Sequence, residues 1–139
     1  MAEIRFETGV KAYTLNDCCE IYFNPTDSFF IERLFDVFND LDKKQEEYRA
    51  EVERTADRIE VFKIARKRDA EMRDALDSVL GLGVCKAVFG DVNVYALAQG
   101  VPLWANLLLA IVEELDTAFA REQKTVNPRI SKYTKKYHK

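Results

Sequence analysis

The 139-residue sequence holds one histidine, His138, and three cysteines, Cys18, Cys19 and Cys85. That scarcity argues against a zinc site, which needs four nitrogen or sulfur donors at close spacing. Adjacent cysteines rarely reach disulfide geometry and the count is odd, so free thiols in a reducing compartment are expected. The five glycines include none arranged as a phosphate loop, because no Lys-Ser or Lys-Thr follows them at the required spacing. Long apolar runs are missing as well. The longest, Val101 to Val112, is interrupted by Asn106 and stops at Glu113 and Glu114, short of the ~20 residues a bilayer requires. The amino end carries Glu3 and Glu7 where a signal peptide would be basic. These absences point to a cytoplasmic protein with no membrane span.

Catalytic groupings are equally sparse. No nucleophile, base and orienting group fall where the fold would bring them together, so no catalytic residue, cofactor or metal is assigned and the chain is not expected to be an enzyme. Glu113, Glu114 and Asp116 are neighbours along a helix, where successive side chains point in different directions, and read as a solvated face. Cys18 and Cys19 have no basic neighbour in sequence to lower their ionisation energy and read as structural.

What is present is an ordinary globular composition, 47% hydrophobic and 32% charged, with the charge unevenly placed. Residues 1–123 carry 15 basic and 24 acidic side chains, net −9; residues 124–139 carry six basic side chains and no acid. Nucleic acid is an unlikely partner for such a body despite Arg66-Lys67-Arg68 and the tail tyrosines, since the folded part would repel a polyanion. The basic end, expected to be a flexible tail, is instead suited to an acidic protein surface, its own body included.

The pattern of elements predicts a mainly α chain with a small N-terminal antiparallel β element, an α+β helical bundle. A single domain spans 1–123. Alternation of Ile4 and Phe6, the Thr8-Gly9 turn and the runs on either side of Asn16-Asp17 predict a hairpin or meander over 3–23. Tyr13, Leu15, Ile21 and Phe23 are its expected contact residues. Pro25 ends the sheet, and Thr26 or Asp27 can cap a helix. From Thr26 to Leu80 there is no glycine or proline. Apolar residues recur there at Ile31, Leu34, Phe38, Leu41, Tyr48, Val52, Ile59 and Phe62, one long amphipathic region. As one rod it would run roughly 80 Å at ~1.5 Å per residue. It must therefore fold back, around 39–42 or 55–57, or project and pair with another chain. Gly81-Leu82-Gly83 ends this region, and Val84 to Phe89 forms a short helix closed by Gly90. Asp91 or Asn93 caps a turn before Gly100. Pro102 opens a last helix, Leu103 to about Gln123, with Trp104, Leu107, Leu108, Ile111, Leu115, Ala118 and Phe119 on its apolar side.

Four stretches, GVKAYTLND, FNPTDSFFIERLF, NVYALAQGVPLWANLLL and FAREQKTVNPRISKYTKKYHK, resemble the tail assembly chaperones of siphophages and prophages of Gram-positive bacteria. The resemblance spans most of the chain and carries no catalytic signature. It implies a short β element followed by a helical bundle, self-association to a homo-oligomer, and residence in the cytoplasm of the bacterial host. It also implies binding to the tape measure protein, and to the tail tube protein as a further candidate, before the tube polymerises. Such chaperones are often made in two forms by ribosomal frameshifting. The resemblance supplies no individual binding residues. On chemical grounds Phe29, Phe30, Leu34, Phe35 and Phe38 are the expected protein-binding set, forming part of a groove that accepts an apolar helix stripe. A structural tail connector that stays in the virion and a small regulatory interaction protein are the alternative readings.

Overall fold

A computed structural model describes residues 1–124, with side chains through Glu122. The expected basic tail lies outside the described residues. Within them the chain is mainly helical with a small antiparallel β element near its start.

Strands β1 (Lys11–Leu15) and β2 (Cys19–Phe23) pair antiparallel, Leu15 opposite Cys19 and Lys11 opposite Phe23. Asn16 and Asp17 turn the chain with φ of 48° and 57°, values these short polar residues tolerate better than most. The β element is shorter than the 3–23 span expected. Residues 1–10 form no strand, and Ile4 and Phe6 are 89% and 79% exposed. At Gly9, φ is +74° and a Cβ would come within 2.6 Å of Asn24 Nδ2, which itself donates to the Thr8 carbonyl at 2.9 Å. This contact turns the chain off the sheet, and the alternation of Ile4 and Phe6 finds no strand edge to pair with.

Helix α1 (Ser28–Arg54) starts at Asp27, whose carboxylate accepts from the Phe29 amide at 3.0 Å. It ends at Thr55, and Asp57 caps α2 (Arg58–Leu80) by accepting from the Ile59 amide at 2.9 Å. The long region thus folds back at the second of the two expected places and forms an αα-hairpin. The break resets the helical phase. Ile59 and Phe62, expected to extend the α1 stripe, are exposed instead, and the face that α2 buries is set by Met72, Leu76 and Leu80. Arg68, on that same side, reaches α1: Nε donates to Glu51 Oε1 at 2.6 Å and Nη1 to Glu47 Oε2 at 2.9 Å. Burial opposes its charge, but these carboxylates outweigh burial and raise its pKa.

Asp77 organises the next turn, accepting from the amides of Gly83 and Cys85, and starts α3 (Val84–Phe89). The connector that follows is fastened along α2: Asp69 accepts from the Val94 amide at 2.8 Å, Arg73 donates to the Val92 carbonyl at 2.7 Å, and Asn93 donates to the Ala65 carbonyl at 3.1 Å. Val94 and Tyr95 are thereby held in the core. A second hairpin that sequence did not indicate follows, β3 (Leu97–Ala98) against β4 (Val101–Pro102), turning at Gln99 and Gly100. Pro102 is therefore a strand partner of Leu97 and not the first residue of the helix. Helix α4 (Leu103–Lys124) begins just after it, with its Leu103 and Trp104 amides satisfied by the Ala96 and Val94 carbonyls. Trp104, Leu108, Ile111, Leu115 and Ala118 face the core. Trp104 meets Phe38 edge-on at 5.7 Å and donates to Gln45 Oε1 at 2.9 Å, locking α4 to α1. Among the described residues no helix is long and apolar enough to cross a membrane.

Candidate functional site

The inner face of the β1–β2 hairpin and one face of α4 do not close on each other. Tyr13, Phe23 and Phe30 stack in series at 4.4 Å between centroids, so the hairpin leans on the start of α1. β2 also packs on α3. Between this support and α4 lies an open groove of about 570 Å³. Its strand wall is Tyr13, Leu15, Ile21 and Phe23; its helix wall is Leu103, Leu107, Ala110 and Ile111; Val88, Phe89 and Val92 also line it. The volume lies in the range that takes a small ligand or a few side chains of a polypeptide.

Polar side chains line the groove as well, Thr14 and Asn16 on the strand side and Asn106 and Glu114 on the helix side. Asn106 donates to the Ala98 and Val101 carbonyls at 3.2 and 3.3 Å, which ties the β3–β4 hairpin to α4. Glu114 also lines the groove and has Arg121 Nη1 at 3.9 Å. Burial, then the charge of Glu114, raises the Tyr13 phenol pKa against the pull of Arg121; its ring gives the groove an apolar wall with a polar tip. Among the described residues no cluster of three or more His, Cys, Asp or Glu could hold a metal ion.

The five α1 residues expected to form a binding set are divided by the fold. Phe30 and Leu34 are buried in the core, and Phe38 is half-buried against Trp104. Only Phe29, 75% exposed, and Phe35, 46% exposed, present substantial surface. The reason is geometric: positions 30, 34 and 38 follow at intervals of four and share the inward face, while 29 and 35 fall outside it. The five therefore do not present one exposed face, and Phe30 and Leu34 serve the core instead. Phe35 joins Phe119 of α4, Ile31, Val112 and Pro25 around a shallow depression of about 100 Å³ with Asp116 beside it. The basic triplet is divided too: Arg66 and Lys67 are exposed, while Arg68 is engaged by α1 carboxylates.

Sequence reasoning missed the strand–helix groove because its walls lie about ninety residues apart in the chain. One signal was present. The first half of α4 is apolar nearly all round, more apolar surface than one core-facing stripe uses, and its excess lines the groove. Fold and site define a small α+β protein with an open apolar cleft beside its hairpin. Comparison with protein-family models, curated proteins and solved structures gives no match.

Proposed function

We propose that this chain is a binding protein of the tail assembly chaperone kind, holding an apolar segment of another polypeptide in the groove between the β1–β2 hairpin and α4. The observation that carries the reading is the groove itself: open, and lined mainly by apolar side chains from both the hairpin and α4. A tape measure protein exposes apolar helical stripes before the tube encloses it, and covering those stripes prevents aggregation. The four stretches that resemble the chaperones of siphophages and prophages support the tape measure protein as partner, the tail tube protein as a second, and the bacterial cytoplasm as the compartment.

A chaperone and a connector differ in where they end up. On this reading the chain co-purifies with the tape measure protein from cells assembling tails and is absent from purified particles. Its presence in particles at a fixed copy number, without association with the tape measure protein beforehand, would assign it to the connector class instead.

A further inference from the structure

The groove's α4 wall ends at Glu114, about 15 Å along the helix from Lys124 at ~1.5 Å per residue. Beyond Lys124 the sequence continues through residues 125–139, which reach about 50 Å if extended at ~3.3 Å per residue. This segment holds Arg129, Lys132, Lys135, Lys136 and Lys139 and no acid, whereas the second half of α4 offers Glu113, Glu114, Asp116 and Glu122 against Arg121 and Lys124. Val126, Ile130, Tyr133 and Tyr137 recur at intervals of four, three and four, the spacing that gathers apolar groups on one side of a turn-forming segment. Charge, length, starting point and apolar spacing all suit one destination.

We propose that residues 125–139 of the same chain occupy the groove. Ile130 and Tyr133 cover its apolar walls, and the flanking basic residues face Glu114. A tethered segment this short acts at an effective concentration in the millimolar range, which favours the chain's own tail over a second copy. The inference rests on reading the groove as a polypeptide-binding site: the tail is an internal occupant that an incoming partner segment displaces.

The test uses the full-length chain with Tyr133→benzoylphenylalanine, irradiated and mapped by mass spectrometry. The expected crosslinks fall within one chain, on residues 11–23 or 103–114. Their yield drops at least tenfold with Ala110→Trp, which fills the groove from an exposed position, and severalfold with Glu114→Lys. It also drops severalfold when salt rises from about 0.05 to 0.5 M. Cooperative thermal melting of both variants confirms that the fold persists, and Glu114→Lys alone carries the test should Ala110→Trp unfold. Crosslinks to another chain, crosslinks scattered over the surface, or yields indifferent to the groove variants and to salt overturn the proposal. Adding the tape measure protein separates the two readings. Intrachain crosslinks that it fails to displace leave the tail docking standing and count against the groove as partner site; groove binding by the partner with no intrachain crosslink does the reverse.

Discussion

Tyr95 buries its hydroxyl without a hydrogen-bond partner among the described residues, while its ring packs on Tyr48 at 4.4 Å. A buried hydroxyl left unpaired is a net cost, so Tyr95→Phe is expected to stabilise the fold by about 1 kcal/mol, read as a rise in the denaturation midpoint at unchanged slope. Burial also pushes the Tyr95 phenol up to about 12, against the pull of Arg68. Between pH 10 and 12 the unfolded chain releases this proton and the folded chain keeps it. Stability therefore falls with rising pH in that window, by up to about 1.4 kcal/mol per pH unit. Below pH 10 both states hold the proton and the group has no effect. Wild type and Tyr95→Phe should differ in slope only in that alkaline window, which urea titrations at stepped pH measure. Cys85, buried beside Asp77, has its thiol raised by burial and by that carboxylate, and is expected to resist alkylation in the native state while exposed Cys18 reacts. At this scale the sequence was legible where chemistry is local: Asp27 capping α1, and Asn16-Asp17 turning the hairpin. It was not legible at Phe29 and Phe30, identical neighbours of which one is exposed and one buried, because helical phase is set by what packs against the helix.

Helix α2 shows how an element's polar residues can hold it as firmly as its apolar ones. Arg68 and Asp69 interrupt the apolar stripe in sequence, yet the structure turns Arg68 to Glu47 and Glu51 of α1 and Asp69 to the Val94 amide. Arg68→Ala is expected to cost roughly 1–3 kcal/mol, since it leaves Glu51 partly buried without its cation; Arg68→Ala combined with Glu51→Ala should recover part of that loss. Chemical denaturation of the single and double variants provides the coupling. Gln45→Leu strands the Trp104 indole N–H and should cost about 1–2 kcal/mol; Trp104, the single tryptophan, reports the same event by its emission. That the long region folds back was readable from its length, and α3 and the extent of α4 from their flanking glycines and proline, but the choice of Thr55–Asp57 over 39–42 was left open. The phase change across that break, which exposes Ile59 and Phe62, was not. Nor was the β3–β4 hairpin, whose two-residue strands are shorter than any periodic signal.

For the molecule as a whole, the apolar side chains left in water are spread over several places. Phe29, Phe35 and Phe119 lie exposed on α1 and α4, Ile4 and Phe6 on the N-terminal segment, and Leu97 beside the β3–β4 turn. The self-association that the chaperone resemblance implies, if it uses the exposed α1 residues, predicts that light scattering at tens of micromolar finds an oligomer and that Phe29→Ser with Phe35→Ser shifts it toward monomer; a strict monomer for the wild type would contradict this. The cleft itself was beyond the reach of sequence because residues 13–23 and 103–114 meet only through the fold.

The claim on which the functional account depends is that this cleft grips a partner polypeptide. Co-expression with the tape measure protein, followed by affinity purification of wild type and Ala110→Trp in parallel, tests it most directly. The account predicts recovery of the tape measure protein with the wild type and at least a tenfold loss with the filled groove, while both chains melt cooperatively. Equal recovery with both, or none with either, would contradict it.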